Sequence, residues 1–157
     1  MEQTLNQQLL DFLNASPSCY HAVDNIANTL LAAGYTRLWE SEAWHLAEGG
    51  RYFVVRGDAS VVAFRVPKRD FAGFMIAAAH SDSPTFKVRE TGAVSAPGNC
   101  LRLSVEPYGG MVMRSWLDRP LSVAGRVMVR EGGKLVPRLV NVDRDLLIIH
   151  SDTGQIL

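Results

Sequence analysis

The 157-residue chain balances 16 basic against 16 acidic side chains, so it lacks the basic footprint that a nucleic acid or an anionic membrane surface selects. Its two isolated cysteines, Cys19 and Cys100, have no C-x-x-C spacing; they suggest neither a disulfide framework nor a cysteine zinc site and read as small packed residues. The start from Met1 to Gln8 has no secretory pattern, and the longest apolar run, Phe71 to Ala79, is far short of the roughly 20 residues that span a bilayer, so a cytoplasmic protein with no nucleic-acid or membrane partner is expected.

This length suits one domain burying roughly 70% of its unfolded surface, or a piece of something larger. Leu5, Leu9, Leu10, Phe12 and Leu13 fall mostly at helical spacing behind Thr4, a possible cap. Ser16-Pro17 ends that helix. Ala22, Val23, Ile26, Ala27, Leu30 and Leu31 make the apolar stripe of a second helix, which Gly34 stops. His21 sits at its entry and is expected to fix it, and His45 lies in a polar connection and is expected to be solvated. Beyond Gly49-Gly50 the period becomes two: Arg51 to Arg56, a Gly57-Asp58 turn and Ser60 to Val66 read as a β-hairpin. Pro67 to Asp70 is a charged loop.

The stretch from Gly73 to Pro84 reads as a buried strand that delivers its last residues to the surface. His80 and Asp82 stand at that carboxyl end, where open α/β sheets collect ligands. A neutral imidazole is a common metal ligand, and a carboxylate beside it can fix its tautomer. Spacing alone favours the plainer reading, in which Asp82 caps a turn beside an ordinary strand-end histidine, because two residues do not make a zinc site. Two helices, a hairpin and a buried strand give an α/β layer with mixed strand order.

Thr85 to Val88 can extend a strand, and Glu90 to Asn99, rich in Gly, Ser, Ala and Pro, reads as a loop and a domain boundary. Short strands follow at Leu101 to Val105, Met111 to Trp116, Leu121 to Val129 and Leu135 to Val142, the last two joined by a turn at Glu131 to Lys134. No Gly pair has the helix and Lys-Ser/Thr of a phosphate loop.

Ala79-His80-Ser81-Asp82-Ser83-Pro84 resembles the His-Thr/Ser-Asp-Ser-Pro signature of the aspartyl aminopeptidase family, a group of co-catalytic zinc exopeptidases. Tyr108-Gly109-Gly110 and the run from Trp116 through Asp118-Arg119 and Leu121-Ser122 to Ala124-Gly125-Arg126-Val127 are similar to a second family motif. Ser16-Pro17, Tyr20-His21-Ala22 and Gly50-Arg51-Tyr52 extend the similarity, which runs in order to about Ile149. The resemblance implies residues 1–90 as the amino-terminal part of a catalytic α/β domain and 91–157 as part of an inserted, mostly β dimerisation domain. It makes His80 a zinc ligand and Asp82 the catalytic carboxylate that orients it, in a site that holds two zinc ions when complete. It also implies a peptide substrate and a homo-oligomer formed through the β-rich half.

The same resemblance assigns a bridging Asp, a Glu-Glu pair with the general base, and further ligands to sequence beyond this chain. Tyr108, Trp116, Asp118 and Arg119 are expected to serve packing and an Asp-Arg ion pair. After Ile149 the pattern departs: His150 stands at the family's Pro, and His150-Ser151-Asp152 repeats the letters of the first motif by coincidence. The expectation is therefore a shortened product, the amino-terminal portion of a zinc metallo-aminopeptidase that is inactive by itself. The alternative is a non-catalytic module that only associates.

Overall fold

The computed structural model describes residues 4–68, 70–98 and 100–151. Arg69, Asn99 and Asp152, which fall in the expected charged loop, the expected Gly/Ser/Pro loop and the second His-Ser-Asp, lie outside the described residues. The chain forms two compact units, Met1–Asp82 with Val123–Asp143 and Ser83–Ser122 with Arg144–Leu157. This grouping differs from a division at residue 90 chiefly in placing 123–143 with the first unit.

In the first unit, α1 (Leu5–Asn14) starts at Thr4, whose side chain accepts the Gln7 N–H at 3.3 Å. Ser18 caps α2 (Cys19–Ala32) from the backbone N–H of His21, and its hydroxyl lies 2.7 Å from His21 Nδ1. His21 thus fixes the helix entry, as expected. Gly34, at φ +78°, ends α2: its N–H reaches Leu31 O and that of Tyr35 reaches Leu30 O, the Schellman pattern that a left-handed residue permits.

β1 (Thr36–Leu38), which the sequence did not announce, lies parallel to β2 (Arg51–Arg56), and β3 (Ser60–Arg65) is antiparallel on the other side of β2. The β2–β3 hairpin matches its sequence reading. Gly57 and Asp58 both have φ of +58°, and the Ala59 N–H closes the turn on Arg56 O at 3.2 Å, the primed geometry that follows strand twist. β6 (Ala124–Glu131) and β7 (Lys134–Asn141) form a second hairpin, closed by Gly132 and Gly133 at φ +55° and +82°.

The core of this unit is small. Ala22, Val23 and Ala27 of α2 are buried, as are Tyr52 and Phe53 of β2. Alternation puts Phe53 and Val55 on one face of β2, and Val55 lines a cleft with Val23 and Ala27 of α2. On the opposite face Tyr52 pairs across the strands with Phe64, their ring centroids 5.8 Å apart.

The buried strand expected at Gly73–Pro84 does not form. Residues 72–80 carry no helix or strand, and Phe74, Met75 and Ile76 are 82, 104 and 86% exposed. A buried strand needs backbone partners along its edges, and among the described residues none pairs with this run.

In the second unit, β4 (Thr85–Ala96) runs antiparallel to β5 (Cys100–Tyr108), with a register shift between Val88 and Ala93. The expected loop at Glu90–Asn99 is therefore strand through Ala96. Gly92 sits inside the shift, where a Cβ would come within 2.8 Å of Arg89 O; a glycine that signals a loop here permits a bulge. The expected strand at Met111–Trp116 is instead a 3₁₀ turn, Met113–Trp116, with Trp116 edge-on to Phe86 at 5.8 Å. Leu121 bridges Leu147 through reciprocal backbone hydrogen bonds of 2.9 and 3.0 Å. Cys100 is exposed rather than packed.

Because the five buried residues all lie in the first unit among the described residues, that unit has little stability to spare. Phe53→Ala removes its largest fully buried side chain, a change that costs about 3–5 kcal/mol against totals of roughly 5–15 kcal/mol for whole domains. The expected outcome is loss of a cooperative urea transition followed by far-UV circular dichroism, with Leu5→Ala on the exposed face of α1 leaving it intact.

Candidate metal site

His80 and Asp82 are brought together. Asp82 Oδ1 lies 3.1 Å from His80 Nδ1, with the imidazole 93% exposed and the carboxylate 33%. The chain bends at Ser81, between the two residues. An ionised Asp82 favours the proton on Nδ1 and leaves the Nε2 lone pair facing outward, the arrangement of a carboxylate-oriented metal ligand. Between them Ser81 turns the other way, its hydroxyl donating to Ala59 O at 2.9 Å.

The turn that receives Ser81 is held from another side. Arg126 Nη1 donates to Gly57 O and to Asp58 Oδ2, both at 2.9 Å, while its guanidinium lies over the Tyr20 ring, 4.5 Å from the centroid. Arg126 was quoted in the sequence as part of a motif, without a role. Sequence reasoning missed both Ser81 and Arg126, and the signal available was that each lies within a family motif.

Among the described residues the remaining candidates form no metal site. Asp118 and Arg119 make no ion pair with each other: Arg119 Nη1 donates to Ser115 O at 3.3 Å. Asp118, at φ +53°, gives its N–H to Ile149 O at 2.8 Å and accepts the Ser151 N–H at 3.0 Å, with His150 Nδ1 at 4.0 Å. Among the described residues no group of three or more His, Cys, Asp or Glu is close enough to hold a metal ion. Zinc takes three or four such ligands, so His80 fits as one ligand with its orienting carboxylate, and the described residues do not complete the set.

Comparison with known proteins agrees with the motifs. Residues 12–151 match the family model described as Aminopeptidase I zinc metalloprotease (M18). A probable M18 family aminopeptidase 2 of Pseudomonas paraeruginosa is 46% identical over 151 residues, 95% of this chain and 35% of that protein. Ape4, in the cryo-EM structure of the Ape4 and Nbr1 complex, is 39% identical with a TM-score of 0.87, over 96% of this chain and 31% of that one. The S. cerevisiae mApe1 dodecamer is 27% identical with a TM-score of 0.77, over 87% of this chain and 33% of that one. The mixed α/β fold is thus that of these aminopeptidases over a fragment, and the chain spans about a third of the length of the relatives it matches.

The Asp118 contacts have a pH signature. Hydrogen bonds from the Ser151 side chain and then its backbone hold its carboxyl below the ordinary 3.8; desolvation opposes them, and the nearby His150 adds the smallest contribution. A depressed carboxyl stabilises the folded contact above pH 3.8, and that contribution is lost as pH falls through the lower folded value. The Ser151 amide resonance is expected to titrate with a midpoint below 3.8, and Asp118→Asn to abolish that titration in NMR spectra.

Proposed function

The chain belongs to the aminopeptidase I (M18) family of zinc metalloproteases, and from that premise we propose that it is the amino-terminal portion of a zinc metallo-aminopeptidase acting on peptides with acidic amino termini. The observation that carries the reading at residue level is the 3.1 Å contact of His80 with Asp82 inside the His-Ser-Asp-Ser-Pro motif. His80 would hold one zinc ion of a pair, and Asp82 would keep its imidazole in the ligating tautomer. When bound, zinc supplies a Lewis acid and an activated water as nucleophile. Within this chain, the work of Asp82 is to hold a proton at Nδ1.

The same reading extends to organisation. Residues 1–90 would be part of the catalytic domain and 91–157 part of a β-rich dimerisation domain, through which the chain forms homo-oligomers. The dodecameric state of S. cerevisiae mApe1 supports assembly, as do exposed apolar residues such as Val94, Leu101 and Val112. A cytoplasmic location fits a chain in which no described helix is long and apolar enough to cross a membrane.

A second reading is favoured for the 157-residue chain by itself. With no cluster of three ligands among the described residues and no identified general base, it would be catalytically inactive and act only by association. Purified chain supplied with Zn²⁺ is expected not to cleave peptides carrying amino-terminal Asp, Glu or Leu, while light scattering shows species larger than a monomer. Turnover with two bound zinc ions would mean that the ligands had been misassigned and that Asp118, Asp143, Asp145, His150 and Asp152 are the ones to test. A clean monomer at high concentration would remove the assembly role.

A full-length aminopeptidase carrying this sequence as its amino-terminal third tests the site itself. His80→Ala is expected to abolish both zinc content at one position and activity, and Asp82→Ala to cost roughly 10–100-fold in either. Full metal and full rate in His80→Ala would rule the ligand assignment out.

A further inference from the structure

The geometry points to Ser81 and Arg126 as positioning residues for the His80–Asp82 pair, acting through the β2–β3 turn. This rests on the reading of that pair as the metal-binding element. His80 needs an external anchor because the segment that delivers it has none of its own: residues 72–80 pair with no described strand, and the imidazole is 93% exposed. Ser81 supplies the anchor. Its hydroxyl donates to Ala59 O at 2.9 Å, so the residue between the two functional side chains is tied to the one that closes the turn.

An anchor is only as rigid as what it is tied to. The turn holds Asp58 in the left-handed region at φ +58°, a conformation that a residue with a Cβ visits at a cost and that its surroundings must support. Arg126 gives that support: one Nη1 atom bonds both the Gly57 carbonyl and the Asp58 carboxylate, and stacking on Tyr20 fixes the guanidinium against α2. The Arg126 side chain is 27% exposed and that of Asp58 47%, so the pair is partly shielded, and the second hydrogen bond to the Gly57 carbonyl and the contact with Tyr20 add to what the ion pair alone supplies. The contacts therefore run from α2 through Arg126 and the turn to Ser81, and thence to His80 and Asp82. A hydroxyl is required at position 81, and a planar fork with several donors at 126.

The test uses the full 157-residue chain labelled with ¹⁵N, with Zn²⁺ alone as the probe. Long-range ¹H–¹⁵N correlation of the His80 ring, assigned by its loss in His80→Gln, reads the tautomer. Wild type is expected to show well-separated ring nitrogens with the proton on Nδ1, and Zn²⁺ shifting Nε2. Ser81→Ala should average the two nitrogens and weaken Zn²⁺ binding at His80 by about 10-fold, the low end of what loss of an orienting partner costs. Ser81→Thr should restore both, and Arg126→Gln should lower both with far-UV circular dichroism unchanged. If Arg126→Gln does not fold, the Ser81 series decides alone.

Unchanged tautomer and Zn²⁺ affinity in Ser81→Ala, or failure of Ser81→Thr to restore them, overturns the positioning role. If Zn²⁺ leaves wild-type His80 untouched while Ser81→Ala still averages its nitrogens, the positioning role stands and the metal reading falls.

Discussion

The first unit depends on one packing contact, the face of β2 that carries Phe53 against the apolar stripe of α2. Phe53 is fully buried, and Val23 is 2% exposed. β2 is also the central strand, with β1 parallel on one side and β3 antiparallel on the other. Everything near His80 inherits its position from there, because the turn that receives the Ser81 hydroxyl is the end of β2 continued into β3. α2 serves twice, since the helix that covers Phe53 also presents Tyr20 to Arg126.

What could be read in the sequence was what is local. Thr4 caps α1 through a hydrogen bond to the residue three positions on, and Gly34 stops α2 within two residues of its end. Gly57-Asp58 and Gly132-Gly133 announce hairpins because left-handed backbone is a property of the residue itself. The apolar run before His80 was misread for the opposite reason. Composition can mark a segment as suited to burial, but burial requires neighbours from elsewhere in the chain, and the described residues pair none with it. The mistake at Glu90–Asn99 was of another kind: Gly92 was taken as a loop signal when it accommodates an irregularity inside β4.

The candidate site divides along the same line. His80 and Asp82 are two positions apart, so the pair was visible without a structure. Ser81 reaches a carbonyl 22 positions away and Arg126 a carboxylate 68 positions away; no spacing rule foretells either. The motif around Arg126 did identify the family correctly. Its place in the structure adds a physical reason for an arginine there, independent of any contact with substrate.

On the proposed reading of His80 as a zinc ligand, the exposed apolar run and the ligand set that the described residues leave incomplete have a common origin. In that reading His80 would supply one ligand from the end of a segment that pairs with no described strand, and zinc would need two or three more ligands around the same point. Groups that approach His80 closely enough to share a metal ion must be carried on backbone that passes beside residues 74–80. Such backbone is also what would cover Phe74, Met75 and Ile76 and satisfy the hydrogen bonds of that segment. Burial of the run and assembly of the metal site are then one event rather than two, which is the linkage of metal binding to folding. An exposed imidazole 3.1 Å from Asp82, beside a serine tied to Ala59 O, is the part of that event that the described residues would prepare.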